Sequence, residues 1–233
     1  MIARFLLYYA LRTSSTPISY DKKVERYFTT YLKNHVNKNI AYRLINKFII
    51  PDQYGYSHLI DHVIINNHSI FAIKLVDIKG EIEVDKEGLY WKYNEQEVFN
   101  PIKEIDELAK YLKDIFQGIY EVSPLVIFLR NNAPKGIKDN VINMEEAPKY
   151  LDTFYSEREY SRDEVIHIYK TLLHLYNKQP SLVEHKDNVS RFNRLIKNRI
   201  CPFCGEKIYE EKEDGVTHLT CSSYPLCKFN IVK

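Results

Sequence analysis

Glycine is scarce in this chain, seven residues in 233, and so are tryptophan, with one, and cysteine, with four. A long apolar run is missing altogether. Crossing a bilayer takes about 20 consecutive apolar residues, and the nearest approach, Phe5 to Leu11, is short and bounded by Arg4 and Arg12. No small-residue cleavage site of a secretory signal follows it. These absences argue against a transmembrane helix and leave an N-terminal anchor as the outlying alternative. The expectation is a cytoplasmic protein whose N-terminal stretch is core or subunit-contact surface. Net charge is nearly absent too: 33 basic against 31 acidic residues leave +2, which neither demands nor excludes a nucleic-acid partner, so clustering must decide. What is abundant is apolar and aromatic. A composition of 45% hydrophobic residues, with 19 Tyr and 11 Phe, excludes a disordered chain, and 233 residues suffice for one good core and a small extra module.

The charges that look misplaced lie between Ile60 and Gly80. Leu59-Ile60-Asp61-His62-Val63-Ile64-Ile65 reads as a strand of mostly branched apolar residues interrupted by an acid. Asn66-Asn67-His68-Ser69 supplies turn chemistry, and Ile70-Phe71-Ala72-Ile73-Lys74-Leu75-Val76 reads as a second strand with Lys74 its only charge. Charged side chains are almost never fully buried unless paired. Asp61 and Lys74 therefore pair, bind something, or mark the mouth of a pocket.

Around this hairpin the pattern is α/β. Ser19 to Val36 reads as a helix with Val24, Tyr27, Phe28, Tyr31, Leu32 and Val36 on one stripe and Glu25 beside it. Ile40 to Ile50 reads as a strand ended by the turn cluster Pro51-Asp52-Gln53-Tyr54-Gly55. Glu81 to Tyr93 suggests a hairpin turning at Asp85-Lys86-Glu87-Gly88, with Trp91 in the core. Asn100 as N-cap and Pro101 at the first helical position open a helix through Ile102, Ile105, Leu108, Leu112, Ile115 and Phe116, closed by Gly118. The apolar run Pro124 to Leu129 is expected of a central strand covered on both faces.

From Tyr155 the pattern is helical. Ser161 and Glu164 form a capping box ahead of Val165, Ile168, Tyr169, Leu172 and Leu175, with Pro180 ending the run. A second helix near Glu184 to Asn198 carries Arg191, Arg194 and Lys197 at spacings of three, sharing a face. That stripe is either a phosphate contact or a solvated linker face.

The four cysteines fall in two pairs, Cys201-Pro202-Phe203-Cys204 and Cys221 with Cys227, separated by a hairpin-length insert. Thiolates at this spacing suit tetrahedral zinc. Two disulfides are the alternative, disfavoured because cytosolic thiols stay reduced. About 33 residues cannot build a core of their own, so metal should supply this module's folding energy.

The hairpin resembles that of the nuclease-related domain, a branch of the restriction-endonuclease-like PD-(D/E)xK superfamily. Ile60-Asp61-His62-Val63, Lys79-Gly80-Glu81-Ile82, Trp91 and Asn100-Pro101 recur in that family's order. The resemblance implies a restriction-endonuclease-like mixed sheet flanked by helices over residues 1–155. It also implies a site of Asp61, Glu25 on the first helix and Glu104, which stands where the family often has Gln. In the family, carboxylates hold Mg²⁺ or Mn²⁺ against the scissile phosphate, and a lysine orients water. The family's Glu-x-Lys is here Lys74-Leu75-Val76. An ammonium about 4 Å from a divalent ion, at an effective dielectric of about 20, is repelled by roughly 8 kcal/mol. The expectation is that Lys74 is a built-in cation in place of the metal, salt-bridged to Asp61 and to Glu25, and that the site is inactive or impaired. Two rescues are open. Asp77-Ile78-Lys79 is an acid-x-lysine triplet just downstream, or Lys74 takes the lysine role with Glu25, Asp61 and Glu81 or Glu83 as oxygen ligands.

The C-terminal module is similar to the four-cysteine zinc ribbons of bacterial type I topoisomerases, through Cys201-Pro202-Phe203-Cys204-Gly205 and Cys221-Ser222-Ser223-Tyr224-Pro225-Leu226-Cys227-Lys228. That similarity implies binding of DNA, single-stranded included, by stacking on Tyr209, Tyr224 and Phe229 with Lys228 nearby. Glu206, Glu210, Glu211, Glu213 and Asp214 make the ribbon slightly acidic, which leaves a protein-docking ribbon open. The expected organisation is a nuclease-related domain at 1–155, a helical linker at 156–199 and a zinc ribbon at 200–233. The expected function is a DNA-binding protein with a degenerate nuclease site. Its alternatives are a metal-dependent endonuclease with a rearranged site, and a partner-docking protein in DNA repair or phage defence.

Overall fold

Helix α1 (Lys22–Lys38) lies on one face of the sheet because Phe28, Leu32 and Val36 recur at helical spacing and are buried. Tyr27, expected on that stripe, is exposed instead. The structure, a computed structural model, describes residues 22–38, 42–52, 54–84, 90–93, 96–213 and 216–232. The N-terminal apolar stretch and the Asp85–Gly88 turn lie outside the described residues.

Five strands form the main sheet: β1 (Arg43–Pro51), β2 (Ser57–Ile65), β3 (Ile70–Val76), β6 (Val122–Phe128) and β7 (Val141–Asn143), in that spatial order. Strands β1, β2 and β3 run antiparallel, and β3, β6 and β7 run parallel, so the sheet is mixed. Between β3 and β6 come a small hairpin, β4 (Tyr90–Tyr93) with β5 (Gln96–Phe99), and the crossover helix α2 (Pro101–Ile115). Helix α2 begins where the sequence predicts: the Asn100 side chain accepts from the Ile102 amide at 3.0 Å, and Pro101 needs no such partner. At its end the Gly118 amide donates to the Lys113 carbonyl at 2.9 Å, with Gly118 left-handed.

The sheet separates two apolar layers. On one side α2 and the later helix α4 (Arg162–Tyr176) cover Val63, Ala72, Val76, Val126 and Trp91, the last stacked on Phe128 with centroids 6.3 Å apart. On the other, α1 and the short α3 (Ala147–Thr153) cover Ile64, Phe71, Ile73, Leu125 and Ile127. Strand β3 is buried along its whole length, as a central strand covered on both faces must be. This is the mixed α/β, restriction-endonuclease-like arrangement that the sequence leads one to expect.

Helix α5 (Leu182–Lys197) opens with a capping box of Ser181 and Glu184. The stretch expected as a linker is a shared wall. Val165, Ile168 and Leu172 of α4 enter the core of the main sheet, while Phe192 and Ile196 of α5 enter the core of the C-terminal module. That module is a three-stranded sheet, β8 (Ile208–Glu213), β9 (Val216–Cys221) and β10 (Asn230–Val232), ordered β10-β9-β8. Among the described residues no helix is long and apolar enough to cross a membrane.

Candidate functional site

The site lies where β2 and β3 part. Their ladder runs from Ile65–Ile70 to His62–Ile73 and stops there, one residue short of setting Asp61 opposite Lys74. The Leu75 amide, beyond the end of that ladder, donates to Asp61 Oδ2 at 3.0 Å. Asp61 is only 1% exposed. Its expected partner does not meet it directly, because Lys74 Nζ lies 2.6 Å from Glu104 Oε1 in the first turn of α2. The cation on Asp61 is Lys47 of β1, at 3.2 Å, and the same ammonium also pairs with Glu25 of α1. The expected Lys74–Asp61–Glu25 bridge is thus corrected to two pairings: Lys47 with Asp61 and Glu25, and Lys74 with Glu104. Lys47 escaped sequence reasoning, although a lysine in the middle of the strand Ile45-Asn46-Lys47-Phe48-Ile49-Ile50 is the same kind of signal as Lys74.

The backbone shows why Lys47 reaches the acids. Asn46 pairs with His62 and Phe48 with Ile60, which leaves Lys47 directly across from Asp61. Lys47 itself is left-handed, φ +55°. That is uncommon for a lysine in a strand and costs on the order of 1–3 kcal/mol. Ile45 shares one apolar core with Phe48, and Ile60 shares it with Val63. Residues three apart on a regular strand point to opposite faces. Both strands therefore change phase at the Lys47–Asp61 step. The hairpin bends there, and the bend turns the lysine toward the carboxylates.

Burial alone would push the Asp61 carboxyl up; the ammonium groups of Lys74 and Lys47 and the Leu75 amide outweigh it and hold Asp61 below the ordinary 3.8. Beside it, burial pushes His62 down from 6.5 to about 4, so the ring is neutral, its Nδ1 on Asn46 Oδ1 at 2.7 Å. The sign follows. Between pH 6.5 and 4 the unfolded chain binds a proton at His62 that the folded chain refuses, so stability falls as pH falls, by roughly 3 kcal/mol over that window. Asp61 contributes stability that is complete above its unfolded pKa and is lost as pH falls through its depressed folded value. Urea titrations at stepped pH check this. His62→Asn is expected to flatten the fall between pH 6.5 and 4, and an unchanged slope would refute the assignment.

Asp77 is buried against Arg130, whose Nε lies 2.6 Å from Asp77 Oδ1, and Lys79, Glu81 and Glu83 are exposed. Among the described residues the four cysteines are the one group of three or more such side chains whose ligand atoms converge, whereas Glu25 and Asp61 converge as a pair on the Lys47 ammonium and Glu104 holds Lys74. Three carboxylates stand instead around two ammonium groups.

The cysteines pass the same test. Their Sγ atoms lie within 4.8 Å of one another, with Cys201–Cys227 at 3.6 Å and Cys204–Cys221 at 3.4 Å. A tetrahedron with Zn–S bonds of about 2.3 Å has edges of about 3.8 Å. Gly205, left-handed at φ +82°, lets its amide close the first knuckle on the Cys201 carbonyl at 2.9 Å, and the Ser223 amide points to Cys221 Sγ at 3.4 Å. A tetrahedral metal such as zinc suits this donor set, and would hold the knuckles together there.

Around the cysteines the expected contact residues divide. Tyr209 and Tyr224 are about half exposed, at 54% and 51%, and Lys228 is exposed. Phe229 is fully buried against Phe203, with centroids 5.2 Å apart, so no base can stack on it; α5 and the β1–β2 turn fill the side of the ribbon it faces. Arg191, Arg194 and Lys197 line the exposed side of α5, the Arg191 guanidinium 5.1 Å above the Tyr56 ring.

The family model of the nuclease-related domain matches residues 21–129, the stretch that holds Glu25, Lys47, Asp61, Lys74 and Glu104. Comparison with curated proteins returns no match, and comparison with solved structures returns none either.

Proposed function

We propose that this nuclease-related protein binds DNA through helix α5 and its C-terminal ribbon, and that its nuclease pocket is held without a divalent cation by its own lysines. The observation that carries the second half is the placement of Lys47 between Glu25 and Asp61 with Lys74 on Glu104. Two ammonium groups supply the charge that a divalent ion would bring. They sit on the oxygens it would need, and a third positive body among them meets the repulsion computed above.

For the first half, a nuclease-related domain implies a nucleic-acid ligand, and the exposed stripe Arg191, Arg194 and Lys197 lies on the helix whose Phe192 and Ile196 enter the ribbon core. The basic stripe supplies phosphate contacts, while Tyr209 and Tyr224 supply faces on which unpaired bases stack. Zinc bound by Cys201, Cys204, Cys221 and Cys227 keeps those rings in place.

Fluorescence anisotropy with labelled single- and double-stranded DNA over a range of salt tests the binding. Affinity is expected to fall steeply with salt, and changing Arg191, Arg194 and Lys197 together to Ala is expected to reduce the log–log slope by about 2 on single strands. An unchanged slope would remove α5 from the interface. A zinc-loaded protein with no salt-sensitive affinity would favour a ribbon that docks a protein, a reading supported by the 93% exposure of Leu226 beside Tyr224. The same samples with Mg²⁺ or Mn²⁺ are expected to leave DNA uncut. The endonuclease reading has one observation in its favour, since Lys47 brings an ammonium to Asp61 that could stand in for the missing lysine at Val76. Cleavage that disappears in Asp61→Ala would establish it.

A further inference from the structure

The turn that joins α4 to α5 sends one side chain to the strand of the pocket. Gln179 accepts from the Ile49 amide through Oε1 at 2.8 Å and donates through Nε2 to the Lys47 carbonyl at 3.0 Å. Among the described residues strand β1 is the edge of the main sheet, and no described strand meets these backbone groups on its outer side. One primary amide serves both. The two groups lie on either side of Phe48, immediately after the left-handed residue.

A left-handed lysine in a strand is held only if its surroundings over-determine it. Here two restraints act at opposite ends of the same residue: Glu25 and Asp61 on the ammonium, Gln179 on the carbonyl and on the amide two residues later. An ion pair at the tip of a four-carbon chain does not dictate backbone conformation. A bidentate amide on the backbone does. A lysine relaxed to extended backbone would follow the regular alternation of β1, and the phase change that turns it toward Asp61 would be lost.

We propose that Gln179 is a positioning residue: by gripping β1 immediately after the bend it keeps the Lys47 ammonium between Glu25 and Asp61. The turn at the root of α5 is then a latch on the cation inside the pocket, and moving that turn away from β1 lets Lys47 leave the acids. This inference rests on the reading of Lys47 as the pocket's resident cation.

Amine-reactive labelling of the intact zinc-loaded chain, read by peptide mass spectrometry, tests it. Exposed Lys197 serves as the fast reference and Lys74, held by α2, as the slow one. In Gln179→Ala, Lys47 labelling is expected to rise about tenfold, the scale of one to two net hydrogen bonds, with Lys74 unchanged. Gln179→Glu keeps an acceptor for Ile49 and the side-chain volume but loses the donor to Lys47, so it carries the same expectation and decides the matter should the alanine variant not fold. A Lys47 that stays slow in either folded variant overturns the latch, as does a joint rise of Lys47 and Lys74, which would report general loosening. If Lys47 in the unaltered protein labels as fast as Lys197, the pocket reading itself falls. A slow Lys47 indifferent to Gln179 removes the latch alone.

Discussion

Lys47→Met is expected to lower stability at neutral pH by about 3–5 kcal/mol, the cost of removing one partner from a buried ion pair, and to make part of that loss recoverable with Mn²⁺. Asp61 is buried and would keep the Leu75 amide and the charge of Lys74, which is committed to Glu104, while Glu25 would lose the Lys47 ammonium. An uncompensated carboxylate in that setting either takes up a proton or recruits a cation. Recruitment stabilises by mass action, about 2.7 kcal/mol at 100 times the dissociation constant. Urea denaturation in metal-depleted buffer, with the ribbon kept zinc-loaded and Mn²⁺ titrated in, reads both effects. The unaltered protein should show no Mn²⁺ dependence, because Lys47 already fills the position. A loss below about 1 kcal/mol, the range of an exposed pair, or equal Mn²⁺ stabilisation of both proteins would count against the lysine-filled pocket. By the same logic Lys74→Glu with Val76→Lys, which rewrites the family's Glu-x-Lys, is expected to leave DNA uncut until Lys47 is replaced as well.

Metal removal is expected to have the other large effect, and to reach beyond the cysteines. Apparent binding energies of about 10–16 kcal/mol are usual for a structural zinc in a small module, so Cys221→Ser or chelation should unfold residues 200–232. The ribbon is not merely tethered, however. Phe203, between two cysteines, stacks on Tyr54 with centroids 4.0 Å apart, the Tyr56 hydroxyl donates to the Pro202 carbonyl at 3.0 Å, and Tyr56 packs edge-on to Phe192 at 4.9 Å. The β1–β2 turn is thereby part of the ribbon's core. Amide exchange at Tyr54 and Tyr56, whose N–H groups donate to Asp52 Oδ1 at 2.8 and 2.9 Å, is expected to quicken at least about tenfold on metal loss, as local opening of a contact-poor segment does. Exchange that stays slow while the ribbon amides speed up would mean that the turn holds itself without the ribbon.

Much of the fold is legible in the sequence. Helix starts carry their own marks in Asn100-Pro101 and in the Ser161–Glu164 box, because capping is local chemistry between a side chain and amides two or three residues away. Strands β3 and β6, apolar but for Lys74 and Ser123, announce central strands, because burial on both faces leaves no position for a polar residue except where function or pairing demands one. The knuckles were legible because ligand spacing lies within a few residues of sequence.

The site was legible only in part. Asp61 and Lys74 stood out because each interrupts an apolar strand, and Glu25 and Glu104 entered through family resemblance. Lys47 carries the same mark as Lys74 and was passed over because β1 was read only for its apolar pattern. Phe229 was offered as a stacking face because an aromatic beside a cysteine looks the same in sequence whether a base or a helix covers it.

By itself, then, the sequence determined the order of elements, the helix ends, the cysteine pairs and the presence of charge in a buried hairpin, all properties that periodicity and short-range chemistry encode. Which cation meets which acid was decided only by tertiary structure. Lys47 faces Asp61 through a strand register and one left-handed residue, Lys74 meets Glu104 across 30 residues of chain, and Gln179 reaches β1 from 130 or more residues away. Partners so distant are set by how strands pair and where helices dock, and a buried charge takes whichever opposite charge that packing delivers, because leaving it alone costs more than any local preference can offset.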